Sequence, residues 1–167
     1  MKRCVSTMLS AVLLIVAAAN VQSEIVLHRA VEPAQIIVDV SLKKENLTLF
    51  ISIPILSVAH LTAQTDYKSL TQQLRQSTSL WETPVKARCS PVNHRLFITS
   101  QPDSNDTSAI EGFFDFNCKE PEQLLTITPR LATVLPGLKV INLWVTTDHW
   151  QHKKNLVLPD GIIQLTP

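Results

Sequence analysis

The sequence predicts an α+β fold: an antiparallel β-sheet of short strands with one longer and one short helix, held by one structural disulfide. Three observations carry this reading. Apolar and polar residues alternate through most segments, one stretch shifts to a helical period, and two cysteines remain once an export signal is set aside.

The N-terminus, "MKRCVSTMLSAVLLIVAAANVQSE", places Lys2 and Arg3 before a mostly apolar run, Met8 to Ala19, of about a dozen residues. Small residues follow at signal-peptidase spacing: Val21 and Ser23 before Glu24, or Ala17 and Ala19 before Asn20. A bilayer span takes about 20 apolar residues, so residues 1–23 read as a secretory signal peptide and not as an anchor. A single domain, 24–167, follows, with no second apolar run to hold it in a membrane. Lys2 and Arg3 leave with the signal, so 13 of the 15 basic residues face 14 acidic ones. No basic stripe remains for a phosphate backbone, which argues against nucleic acid as a partner.

Cys4 also leaves, and Cys89 and Cys118 remain. An even cysteine count in an exported chain implies a disulfide. The alternative, a thiol redox or metal pair, lacks the C-x-x-C spacing that lowers a thiol pKa.

The elements follow in chain order. "EIVLHRAVEPAQ" has no clear period and reads as a loose lead-in. Ile36, Val38, Val40 and Leu42 then alternate onto one face of a strand, and Leu47, Leu49, Ile51 and Ile53 onto one face of its return. "KKEN" connects the two, Phe50 points to the opposite face, and Pro54 ends the hairpin. Tyr67, Leu70 and Leu74 recur near helical spacing, so a helix is expected from about Asp66 to Ser77, capped by Thr65 or Asp66 and tailing toward Trp81. "PVKARCSPVNHRLFITSQ" reads as two short β pieces broken at "SPVN". After the polar run "SQPDSNDTS", Ser100 to Ser108, alternation resumes with Ile110, Phe114, Phe116 and Cys118 on one face, and Gly112 allows a bend. Thr128 before Pro129 reads as the N-cap of a short helix that Pro136 and Gly137 stop. "KVINLWVTT" is a strand with Trp144 buried in it, and "NLVL" and "IIQLT" flank an Asp-Gly turn as a closing pair. The spacings give roughly six to eight strands.

No G-x-S-x-G, P-loop, G-x-G-x-x-G or H-E-x-x-H motif is present, and the chain has three glycines to build any cradle. Histidine is the residue type to follow, because imidazole is a common zinc and copper ligand. In "TTDHWQHKK", Asp148, His149 and His152 offer oxygen and nitrogen donors, ahead of His60 and of His28, which could join only through tertiary contact. Against this, the segment leaves a strand, where an odd spacing turns two rings to opposite faces. The plain alternative is solvated loop histidines beside Lys153 and Lys154. His94 and His60 read as turn or strand-end residues, and Trp150 as the tryptophan with a surface role. "NLT" at Asn46 and "NDT" at Asn105 match the N-glycosylation pattern.

The order of these pieces resembles a bacterial exported family, the zinc-regulated ZrgA-like proteins. The likeness is clearest in "GFFDFNCKEPEQLLTITPRLATVLPGLKVINLWVTTDHWQHKKNLVL". Phe116 and Cys118, the Leu135-Pro136-Gly137 turn, the strand through Leu143 to Val145, and Gln151 fall where the family has its counterparts. The hairpin, the helix and Cys89 sit in matching order, so the resemblance covers nearly all of the exported part. It implies a periplasmic location and a role in zinc acquisition. Family members carry histidine tracts near the mature N-terminus and between the two cysteine-bearing segments. Here those places hold His28 alone and a loop with Asp103 and Asp106, and the segment after the hairpin is shortened to Ala59-His60.

The expectation is therefore a periplasmic, non-enzymatic accessory of zinc homeostasis, with weak or lost zinc binding and a metal-uptake component as partner. The alternative is an envelope protein-interaction module that needs no metal. An enzyme with a site assembled in space is the third reading.

Overall fold

The computed structural model describes residues 34–63, 66–77, 79–99 and 108–166. The expected export signal, the lead-in up to Pro33 with His28, Thr65, and the polar run from Ser100 to Thr107 lie outside the described residues. Strands β1 (Gln35–Lys43) and β2 (Asn46–Pro54) form the expected hairpin. Alternation puts Ile36, Val38 and Val40 with Leu47, Leu49, Ile51 and Ile53 on the buried face. Phe50 stands on the other face, beside Phe113 at 4.9 Å between ring centroids.

After a 3-10 turn (Ile55–Ser57) come two helices, α1 (Val58–Leu61) and α2 (Tyr67–Gln76). Asp66 caps α2. Its carboxylate accepts from the Lys68 and Ser69 N–H groups at 3.0 and 3.2 Å and from the Ser69 hydroxyl at 2.7 Å. The Ser69 hydroxyl, then the Lys68 amide, hold this carboxyl below its ordinary range. Leu70 and Leu74 bury the inner side of α2. The helix does not continue toward Trp81, which instead opens a short strand, β3 (Trp81–Glu82).

The cysteine-bearing strands, β4 (Cys89–Thr99) and β5 (Ala109–Cys118), pair antiparallel from Cys89↔Cys118 to Thr99↔Ala109. Cys89 and Cys118 are disulfide-bonded across the end of this ladder, 29 residues apart in sequence. The break expected at "SPVN" is absent. β4 is one strand, and it absorbs the proline through a register shift between Pro91 and Asn93. A proline lacks one ladder donor, which an edge strand with a bulge tolerates.

The remaining strands are β6 (Thr126–Pro129), β7 (Val140–Thr147), β8 (Gln151–Val157) and β9 (Ile163–Gln164). They give nine strands among the described residues, in a six-stranded sheet of order β4-β5-β2-β1-β7-β8 and a small one of order β3-β6-β9. The large sheet is mixed and not antiparallel throughout, because β7 runs parallel to β1, from Gln35↔Val140 to Leu42↔Thr147. Alternation reports which face a strand buries, and it is silent on the direction of its neighbour.

Three further expectations are corrected. Thr128 and Pro129 do not cap a helix, since they pair with Glu82 and Trp81 in the small sheet. Only one 3-10 turn (Leu131–Thr133) follows, and the short helix is α1. The strands around "PDG" do not form a hairpin, because β8 pairs with β7 while β9 pairs with β6. Trp144 is half-buried on the outer face, where the Lys153 Nζ lies 4.7 Å from its ring centroid.

The core lies between the large sheet and a second layer made of α2, the small sheet and the stretch from Leu131 to Leu138. Leu70, Leu74, Trp81, Ile127, Leu131, Leu135 and Ile163 meet the inward-facing strand residues in one cluster. Gly137 seats the return into β7. Its N–H donates to the Leu61 carbonyl at 2.8 Å, and a Cβ here would fall 2.1 Å from the His60 carbonyl oxygen.

Two outcomes follow from this packing. Replacing both Cys89 and Cys118 with Ser should lower the unfolding free energy by about 3 to 4 kcal/mol, the chain-entropy value for such a loop. An unchanged urea midpoint would show that the β4–β5 ladder suffices alone. Gly137→Ala forces backbone apart, so a loss of about 1 to 3 kcal/mol or more is expected in the same assay.

Candidate functional site

The residues singled out for metal chemistry fall at two ends of the large sheet. Asp148, His149 and His152 lie at the β7–β8 turn, which is organised by Thr147. The Thr147 hydroxyl oxygen accepts from the His149 and Trp150 N–H groups at 3.3 and 3.1 Å. The Thr147 N–H donates to the Trp150 carbonyl at 2.8 Å. Trp150 is half-buried and packs against the core, so it anchors the turn and is not a free surface aromatic.

This turn abuts the β1–β2 turn. The Lys44 N–H donates to Asp148 Oδ2 at 3.0 Å, and Lys44 holds a left-handed φ of 53°. Glu45, next to it, accepts from the Cys118 N–H at 2.8 Å. Asp148, the β1–β2 turn and the disulfide thus share one end of the sheet.

Asp148, His149 and His152 are all exposed. His149 belongs to the turn, while His152 stands opposite Val145 in the β7–β8 ladder. Among the described residues, no three His, Cys, Asp or Glu side chains gather where they would hold a metal ion. Two imidazoles and a carboxylate are the right donor types for zinc. Their spread, and the backbone amide already on Asp148, do not fit a closed four-ligand site.

His60 is on α1 at the other end. Its carbonyl packs on Gly137, three residues before β7 begins, whereas Asp148 follows directly after β7 ends. An eight-residue strand separates them, roughly 25 Å at the usual rise per residue. The mouth of the polar loop is on the His60 side, where the Ile55 N–H donates to the Ser108 carbonyl at 2.9 Å. His94 has a packing role. Its ring stacks over Phe114 at 6.1 Å, and Nε2 lies 2.8 Å from the Arg75 carbonyl. The Arg75 guanidinium in turn donates to the Leu96 carbonyl at 2.9 Å, so the pair pins α2 to β4.

Two open clefts lie elsewhere. One is lined by Lys68, Thr71, Gln72, Arg75, Gln76 and Ile98, between α2 and β4. The other is lined by Ser79, Trp81, Glu82, Arg130 and Thr133. Sequence reasoning named neither, and the second forms only when β3 and β6 pair. No helix among the described residues is long and apolar enough to cross a membrane.

Asp148→Ala should leave the fold intact and raise the amide exchange rate of Lys44, measured by hydrogen exchange. An unchanged rate would mean that the two turns are held together by other contacts.

A family profile described as "ZrgA family zinc uptake protein" matches residues 19–165. No curated protein matches the chain.

Proposed function

The chain belongs to the ZrgA family of zinc uptake proteins, and from that premise we propose that it is an exported, non-enzymatic accessory of zinc homeostasis in the periplasm. The observation that carries this reading is the extent of the match, which runs from the end of the apolar leader nearly to the last residue. Zinc is the cargo in this reading, and the β7–β8 turn is its contact point. Asp148 keeps Oδ1 for a cation while Oδ2 holds the Lys44 amide, and His149 and His152 supply exposed imidazoles. Lys153 and Lys154 follow at once and oppose a second positive charge. Such a site holds zinc weakly and releases it readily, which suits a carrier that passes metal to an uptake component and not a store.

A second reading has its own support. β4 is an edge strand, and Val92, Phe97 and Ile98 on it are 67, 40 and 41% exposed. An apolar edge of this kind fits a protein-interaction module that docks an envelope partner without metal.

Calorimetric titration of the mature, oxidised protein with zinc separates the two. The accessory reading expects binding with a dissociation constant of about 10 μM to 1 mM, corresponding to roughly −7 to −4 kcal/mol, weakened in Asp148→Ala and in the His149→Ala/His152→Ala double variant. No heat at millimolar zinc leaves the interaction module. Export is tested by the mass of the protein recovered from the periplasm, expected to begin at Glu24. A full-length chain in the cytoplasm would overturn the location.

A further inference from the structure

The second cleft owes nothing to the zinc reading and lies on the small sheet. β3 and β6 assemble it by pairing Trp81 with Pro129 and Glu82 with Thr128, 48 and 46 residues apart in sequence. Trp81 is 6% exposed, with its ring edge-on to Phe114 at 5.9 Å. Among the described residues, its indole Nε1 is the one buried side-chain nitrogen or oxygen that has no hydrogen-bond partner. Native folds leave few such donors unpaired, because the group has given up water and gained nothing in return.

Arg130 is the second polar feature. Its Nε donates to Glu82 Oε2 at 2.8 Å, and Nη2 reaches the same oxygen. Both side chains remain more than half exposed, at 54% for Arg130 and 58% for Glu82. An ion pair this exposed is held loosely. Glu82 also demonstrates the chemistry the guanidinium selects, a carboxylate oxygen held by two of its nitrogens. The cleft therefore has a cation already presented to a carboxylate, and on its lining a tryptophan whose indole N–H is buried without an acceptor.

We propose that this cleft is a binding site for a small organic carboxylate, which takes the place of Glu82 on Arg130 and reaches the Trp81 indole N–H with its second oxygen. Glu82 acts as an internal competitor that swings into water when the ligand enters. Thr133 is not free to compete, since its hydroxyl donates to the Arg130 carbonyl at 2.7 Å. The site discriminates against chloride and other spherical anions, because donors on two different side chains ask for two separate oxygens.

The test uses the 15N-labelled, disulfide-intact protein and acetate as probe, with sodium chloride at matched ionic strength as the control arm. The three tryptophan indole N–H resonances are followed by NMR. That of Trp81 is identified by its cross-relaxation to the Phe114 ring and by its loss in Trp81→Phe, so the assignment survives if the variant fails to fold. A saturable shift of the Trp81 resonance with acetate, and none with chloride, is expected. Glu82→Gln should tighten the binding several-fold and Arg130→Gln weaken it by about tenfold, the scale of a charge-assisted hydrogen bond. A Trp81 resonance that acetate leaves in place, or moves no more than chloride does, overturns the proposal. So does an apparent affinity that neither surface substitution changes.

Discussion

The parallel pairing of β7 on β1 is the constraint on which the rest of this structure depends. It makes β1 an interior strand, hydrogen-bonded to β2 on one edge and to β7 on the other. Parallel neighbours cannot be joined by a tight turn, so the chain between them must travel from one end of the sheet to the other. That journey holds β2, β4 and β5 of the large sheet, and with them α2, β3, β6 and the 3-10 turns, which lie over the apolar face. The crossover ends at Gly137, where only a residue without a side chain fits against the α1 backbone. One glycine thus lets the chain pass against α1 just before β7 begins.

What could be read from the sequence was local. The hairpin of β1 and β2, the helix capped by Asp66, and the cysteine pair each follow from neighbours a few residues apart or from a compartment rule. What could not be read was long-range. Thr128 and Pro129 carry a good helix-start signal, and they lost it to pairing with Glu82 and Trp81, a strand far earlier in the chain. The Asp-Gly turn carries a good hairpin signal, yet its flanking strands found other partners. In both cases a propensity worth a fraction of a kcal/mol met a tertiary ladder that contributes more. The nine strands are more than the expected six to eight because two of them are two-residue pairings with no period to detect.

The candidate site was legible as a list of residues but not as an arrangement. Asp148 and His149 are adjacent in sequence and sit together, while His60 is separated from them by the length of β7. Nothing in "SVAH" indicates to which end of a sheet it will be carried. The same holds for Arg130 and the neighbouring pair Trp81 and Glu82, which are far apart in sequence and form no motif. Histidine counting therefore overstates the ligands available to one metal ion in this chain. It also hides the fact that the loop mouth and His60 share an end, the one opposite Asp148.

The position of the disulfide changes what the polar run between β4 and β5 can tolerate. The bond closes the ladder at the end away from that run, so the backbone from Cys89 to Cys118 is a covalent ring whose two sides are zipped together. A peptide bond cut in the run opens the ring without dividing the molecule. The two pieces stay one particle under oxidising conditions and part only when reductant and denaturant act together. Insertions there enlarge the ring without touching its clasp. A segment in that place is free to change its composition, and so its ligands, while the sheet behind it stays the same.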